Sequence, residues 1–197
     1  LKAKFEKYVA EGGNLVVTFR SGTKNMDNSM TERTLPGYFK EVAGIELEEF
    51  DSLNDCAVEV EGAFGRGRAS IWADIIKPVT AKTVATYAGE YYAGKPAVTV
   101  NEYGKGHSVY FAGLPYSPQN CRILLRAIYY AAGMPEEMKH YYVTNVDTEV
   151  TVFPETKRIA VINNSESEQK TNLYIKGKLI SELTLAPREM RWVDDAE

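Results

Sequence analysis

Apolar and polar positions alternate along most of this chain with the short periods of strands, broken by three helical stretches. Leu1–Glu11 sets Leu1, Phe5, Tyr8 and Val9 at helical spacing, and Gly12-Gly13 closes it in the way glycine ends helices. Asn14–Phe19 (NLVVTF) follows as a short β-branched run of the kind that sits in a buried parallel sheet. Arg20–Arg33 is polar and aperiodic, a long loop after the C-terminal end of a strand. Tyr38–Val42 reads as a short helix with Phe39 and Val42 inward and Gly44 as its cap. Ile45–Leu53, Ala57–Val60 and Ala69–Trp72 read as strands, with Glu61–Arg68 as a loop and Trp72-Ala73-Asp74 opening a connection to Pro78. Thr83–Tyr87 is the next strand. Pro96–Tyr103 and His107–Ala112 form a hairpin around Gly104-Lys105-Gly106. Gln119–Ala132 carries the strongest helical pattern, with Cys121, Leu124, Leu125, Ile128 and Tyr129 on one stripe, and Gly133 with Pro135 ends it.

The period changes beyond Tyr141. Tyr141–Val146, Glu149–Phe153, Arg158–Asn163, Lys170–Tyr174, Lys178–Thr184 and Glu189–Val193 are short strands separated by turn formers every 8–12 residues, the pattern of an all-β module. The expected division is an α/β domain over 1–138 and a small antiparallel domain over 139–197, with the boundary near Glu136–His140. A helix running into an apolar strand is half of a βαβ unit. The chain opens on Leu1 inside that helix without an initiator Met, so it is expected to be a piece of a longer protein. The sheet edge left by a missing strand is expected to be covered by another chain or by altered pairing.

Composition narrows the function classes. The 197 residues are 44% hydrophobic, enough for a core, and carry a formal charge of −4, which speaks against a nucleic-acid partner. No apolar run reaches the roughly 18–20 residues that span a bilayer. Cys56 and Cys121 stand 65 positions apart, too few and too far for a disulfide framework or metal cluster; both are expected to be reduced and structural, as in a cytoplasmic protein.

Candidate chemistry is thin. Gly89–Pro96 (GEYYAGKP) nearly matches the phosphate-binding loop, but proline replaces the hydroxyl residue and a strand follows instead of a helix. Gly104-Lys105-Gly106 and Gly65-Arg66-Gly67 lack the third glycine of a dinucleotide fingerprint. His107 and His140 have no nearby ligand or triad partners in sequence. Glu46, Glu48, Glu49 and Asp51, and Glu59 with Glu61, read as solvated strand faces, not as the paired acids of glycoside hydrolysis. Asn163-Asn164-Ser165 matches a glycosylation sequon by form alone. No catalytic, cofactor-binding or metal site is expected. Among thirteen tyrosines, Tyr91-Tyr92 beside a glycine turn, together with Trp72 and Arg20, are the candidate contacts for an interface or a sugar.

Several spaced motifs in order carry a resemblance. Tyr8–Gly22 (YVAEGGNLVVTFRSG), Leu35-Pro36-Gly37, Trp72-Ala73-Asp74, Ala85–Ala88, Tyr91–Thr99 and Tyr103–Gly106 resemble the second domain of glycoside hydrolase family 42 β-galactosidases. The resemblance covers about Leu1–Gly133, and the β-rich tail resembles the family's small C-terminal domain. It implies a flavodoxin-like, class I glutamine amidotransferase-like open sheet, N-terminally truncated, followed by a small all-β antiparallel domain. It also implies a homo-oligomer, a trimer in the parent, and a separate (β/α)₈ barrel carrying both catalytic glutamates of a retaining hydrolase of terminal β-D-galactosides. This chain would then be non-catalytic, with self and the barrel as partners and the galactoside as substrate only in the parent. Two alternatives are a carbohydrate-binding module using Tyr91, Tyr92 and Trp72, and an active domain using Cys56 or Cys121 as a thiolate.

Overall fold

The run of apolar residues in Asn14–Thr18 needs a neighbour for its backbone, and it finds one 93 residues away. In the computed structural model, which describes residues 2–115, 117, 120–134 and 140–194, helix α1 (Lys2–Ala10) leads into strand β1 (Asn14–Thr18). β1 lies parallel to β6 (Gly106–Phe111), with Val16 opposite Val109. A one-turn 3-10 segment, Gly37–Phe39, and α2 (Lys40–Ala43) follow the loop, and Gly44 caps α2 in the left-handed conformation. Then come β2 (Ile45–Gly62), β3 (Gly65–Pro78), β4 (Lys82–Tyr87) and β5 (Pro96–Tyr103). Helix α3 (Cys121–Ala131) follows β6.

These strands form one six-stranded mixed sheet in the order β1-β6-β5-β4-β2-β3. β1–β6 is its parallel pair, and the remaining pairs are antiparallel. β5 and β6 are covered on both faces, which is why apolar residues fall on odd and even positions alike in Ala97–Val100 and Ser108–Phe111. β1 is an edge strand with mainly Val17 buried, so its apolar run did not mark a central strand. No described strand lies on its outer side.

The long hairpin corrects the sequence reading most. β2 and β3 are continuous through Glu61–Arg68, with only a two-residue turn at 63–64, and Trp72–Pro78 is strand. The register shifts between Leu47 and Glu49 and between Ser52 and Ala57, and these bulges interrupt the alternation that would have revealed one strand. Opposite the second bulge, Ile71 takes φ +73° with its side chain 62% exposed, a strained state for a β-branched residue. The hairpin curls back so that the Asp74 amide donates to the Ala112 carbonyl at 2.6 Å, just past β6.

α3 is rotated relative to expectation. Its buried side chains are Ile123, Ala127 and Ala131, while Cys121, Leu125 and Ile128 are exposed. Asn120 fixes that rotation: its side-chain amide donates to the carbonyls of Arg68 (3.0 Å) and Pro115 (2.8 Å), and its carbonyl accepts the Arg68 amide (2.7 Å). The expected start at Gln119 and the stop at Pro135 lie outside the described residues.

The chain divides into compact units Leu1–Gly133 and Met134–Glu197; the expected boundary residues Glu136–Lys139 lie outside the described residues. The second unit holds β7 (Tyr141–Val143), β8 (Thr148–Phe153), β9 (Arg158–Asn163), β10 (Gln169–Ile175), β11 (Lys178–Leu185) and β12 (Met190–Asp194). They form two three-stranded antiparallel sheets, β11-β10-β7 and β12-β9-β8. Val143, Ile159, Val161, Leu173, Ile175, Leu183 and Leu185 make their shared core. At one end Asn163 is fully buried. Its amide donates to the carbonyls of Ser167, Leu185 and Ala186 at 2.8, 3.3 and 2.8 Å, and its Oδ1 accepts from the Ser165 backbone at 2.9 Å. The sequon therefore names a structural residue whose amide is already used.

Two stability measurements test this account. Asn163→Ala strips a donor from three carbonyls, and urea unfolding should show a loss of about 3 kcal/mol; a loss under about 1 kcal/mol would remove Asn163 as the organiser of that end. Ile71→Gly relieves a left-handed conformation and should gain about 1 kcal/mol; a loss would mean that the side chain contributes packing that its exposure does not show.

Candidate functional site

Past β1 the chain must turn sharply, and two glycines let it do so against a second loop. Gly22 (φ +70°) and Gly37 (φ +57°) lie back to back: a Cβ on Gly22 would meet the Pro36 carbonyl oxygen at 2.0 Å, and one on Gly37 would meet the Gly22 oxygen at 2.3 Å. No side chain fits between the two backbones. Loop 20–36 is thereby pinned beside β2 and β3, enclosing a pocket of about 170 Å³. Its floor is apolar, with Leu47, Phe50, Pro36 and Trp72, and Arg20 and Lys24 supply cations. Trp72 stacks on Phe50 (centroids 4.6 Å, 17° between planes), and the Arg20 guanidinium lies 4.4 Å from the indole centroid. Arg20 and Trp72, two of the four residues singled out from sequence, thus meet in one site.

Asp74 holds this arrangement. It is 2% exposed and sits two residues beyond Trp72 on the same face of β3. The Trp72 indole N–H donates to one carboxyl oxygen at 2.7 Å and the Tyr110 hydroxyl to the other at 2.7 Å. Tyr87 donates to the Asp74 backbone carbonyl at 3.1 Å. Burial pushes the Asp74 carboxyl above its ordinary value, and the hydrogen bonds from Tyr110, Trp72 and the Arg20 backbone, with the Arg20 charge, act against that rise. Burial likewise raises the Tyr110 and Tyr87 hydroxyls well beyond the usual tyrosine value, so both stay protonated donors. Sequence reasoning missed Asp74, Tyr110 and Phe50. The Trp-x-Asp spacing was the available signal, since on a strand it places both side chains on one face.

Tyr91 and Tyr92 separate. Tyr91 is exposed and donates to Glu49 at 2.8 Å. Tyr92 is 1% exposed, packs edge-on against Tyr87 at 5.0 Å, and donates to Asp51 at 3.1 Å. Tyr92 is a core residue and leaves the set of accessible contacts; its burial follows from the turn before Pro96 folding inward over β2. Neither tyrosine lines the pocket.

The remaining motifs are structural. Gly89–Lys95 is the turn between β4 and β5, and Pro96 opens β5. His107 packs against Tyr130, with ring centroids 5.9 Å apart. Cys56 and Cys121 are free and exposed, not buried as expected. Among the described residues no three His, Cys, Asp or Glu side chains gather as metal ligands, and no helix is long and apolar enough to cross a membrane.

Comparison with known proteins places this architecture. Residues 1–135 match the family profile described as the β-galactosidase trimerisation domain, and residues 141–193 match the one described as the lacto-N-biose phosphorylase C-terminal domain. The β-galactosidase BgaA of Clostridium cellulovorans is 33% identical over 160 residues, covering 81% of this chain and 24% of that protein. A 1,3-β-galactosyl-N-acetylhexosamine phosphorylase (Cphy3030) of Lachnoclostridium phytofermentans is 47% identical over 77 residues, covering 39% of this chain and 11% of that protein. The crystal structure of the cold-adapted β-galactosidase of Rahnella sp. R3 superimposes with a TM-score of 0.62 at 27% identity, covering 97% of this chain and 30% of that one. The chain spans about a quarter of the length of the curated β-galactosidase it matches.

The carboxyl of Asp74 makes two predictions. Asp74→Leu leaves the Trp72 and Tyr110 donors without an acceptor and should cost about 3 kcal/mol in urea unfolding. Asp74→Asn keeps Trp72 paired, and Tyr110 can turn to accept from the amide. Because folding raises this pKa, the native state holds the proton more tightly than the unfolded chain. The stability advantage of wild type over Asp74→Asn should be largest below the ordinary carboxylate range and should shrink as pH rises through the raised value. A difference that is flat or grows with pH would refute the assignment.

Proposed function

The chain belongs to the family of β-galactosidase trimerisation domains, and from that premise we propose that it assembles the subunits of a larger β-galactoside-processing enzyme and performs no bond cleavage itself. The observation that carries this reading is the match of residues 1–135, more than two thirds of the chain, to a family named for assembly. The site supports it: the pocket's one buried carboxylate is committed to Trp72 and Tyr110. A general acid must instead be free to exchange a proton with substrate. The proposal includes three copies around an axis, a separate catalytic barrel as the second partner, hydrolysis of terminal β-D-galactosides by the whole protein, and residence in the cytoplasm. The flavodoxin-like description of the first unit belongs to it as well, supported by the parallel β1–β6 pair, with another chain covering the outer edge of β1.

A second reading of the whole protein has its own observation. Residues 141–193 match the C-terminal domain of lacto-N-biose phosphorylase, and the Lachnoclostridium relative with 47% identity is a phosphorylase. On that reading inorganic phosphate, not water, takes the galactosyl group. Incubating the whole protein with a β-1,3-galactosyl-N-acetylhexosamine, with and without phosphate, separates the two. Free galactose in both samples supports hydrolysis. Galactose 1-phosphate formed only with phosphate supports phosphorolysis and overturns hydrolysis. For the 197-residue chain alone, no galactoside turnover is expected; sustained turnover would overturn the non-catalytic assignment.

A further inference from the structure

The loop after β1 carries an apolar side chain with no place in its own chain. Residues 23–31 form a small arm. Lys24 and Met30 pair across it, the Thr31 amide donates to the Thr23 carbonyl at 3.0 Å, and the Asn25 amide donates to the Ser29 carbonyl at 2.8 Å. Lys24 Nζ donates to the Asn28 carbonyl at 3.0 Å, and Asp27 accepts from the Ser29 hydroxyl at 2.6 Å and from its amide at 3.2 Å. At the tip of this self-bonded arm Met26 is fully exposed. A hydrogen-bonded loop that holds a flexible apolar side chain entirely in water has already lost the backbone entropy that binding would otherwise cost, leaving only the side-chain rotamers to be fixed. Asp27 beside it is exposed, and its bonds from Ser29 hold its carboxyl below the usual value, so the tip is an apolar knob next to a full negative charge.

The pocket at the base of the arm has the complementary character. Its floor is Leu47, Phe50, Pro36 and Trp72, and its cations are Arg20 and Lys24. At about 170 Å³ it is smaller than the roughly 300–1,000 Å³ of small-molecule sites and has room for one side chain of methionine's size. Its own Met26 does not fill it, because that side chain is wholly in solvent.

We propose that Met26 of one copy seats in the Phe50–Trp72 pocket of a second copy, with Asp27 meeting Arg20 and Lys24 across the contact. This rests on the reading that the chain assembles with itself. The knob and the pocket are neighbouring features, since Thr23, Lys24 and Met30 of the arm line the pocket; when each copy gives its knob to one neighbour and its pocket to another, the contact is heterologous, the kind that closes rings of three when the rotation permits.

Sedimentation velocity of the 197-residue chain over a range of concentrations tests the contact. Met26→Glu changes a fully exposed residue and should leave unfolding of the dilute monomer unchanged while weakening association at least tenfold. Phe50→Glu, which disables the pocket and removes the ring stacked on Trp72, should weaken association by a similar factor. Mixing the two variants restores one knob and one pocket per pair and should give a 1:1 dimer that neither forms alone. Trimeric wild type with an unaltered Met26→Glu trimer overturns this contact and leaves the assembly reading standing. A wild-type chain that stays monomeric throughout overturns the assembly reading and this contact with it. Saturable quenching of tryptophan fluorescence by galactose, lost on Phe50→Glu, would give the pocket to a sugar and overturn its assignment to Met26.

Discussion

A buried carboxylate with no room to be wrong organises the first unit. Asp74 ties together strands that no backbone ladder joins. Its side chain takes hydrogen bonds from Trp72 on β3 and Tyr110 on β6, its amide bonds to Ala112 beyond β6, and its carbonyl accepts from Tyr87 on β4. The long β2–β3 hairpin would otherwise be free to splay; with Asp74 in place it curls over the sheet. A charge in that environment is expensive unless its acceptors are filled. The donors therefore cannot be exchanged for apolar side chains one at a time, and the curl becomes a single geometry. The pocket follows, because Trp72 is both a donor to Asp74 and the platform beneath Arg20.

Much of the element order was legible, because strand and turn chemistry are local. The β5–β6 hairpin, α1 and the six short strands of the second unit all fall within one to three residues of where period and turn formers put them. What failed depended on distant partners. The β2–β3 hairpin was hidden by two bulges that break its alternation, and those bulges make sense only once the strand has to bend. The apolar stripe of α3 was assigned to the wrong side because Leu125 and Ile128 outweigh Ala127 and Ala131 in any sum of hydrophobicity. The rotation is set by Asn120 gripping Arg68, 52 residues away, which no helical period contains.

The candidate site was half legible for the same reason. Arg20 could be singled out because it follows a strand's C-terminal end, and Trp72 because it is a rare large aromatic. That they share a pocket needed the curl. Tyr91 and Tyr92 are identical in sequence context, yet one lies in the core beside Tyr87 and the other on the surface over Glu49. Adjacent residues in a turn point in different directions, and only the path of the turn decides which is covered.

The two family matches along this chain name enzymes with different reactions, and the physics of the chain explains why both can hold. Hydrolysis and phosphorolysis of a galactoside differ in the nucleophile that reaches the anomeric carbon, which is decided within the first few ångströms of the substrate. The described residues of this chain direct their buried polar groups to one another: Asp74 to Trp72 and Tyr110, Asn163 to three carbonyls, Asn120 to β3. Buried polar groups committed in that way hold the chain's own fold together and set no requirement for water or for phosphate. Its similarity to a hydrolase and to a phosphorylase therefore reports shared fold before it reports shared reaction.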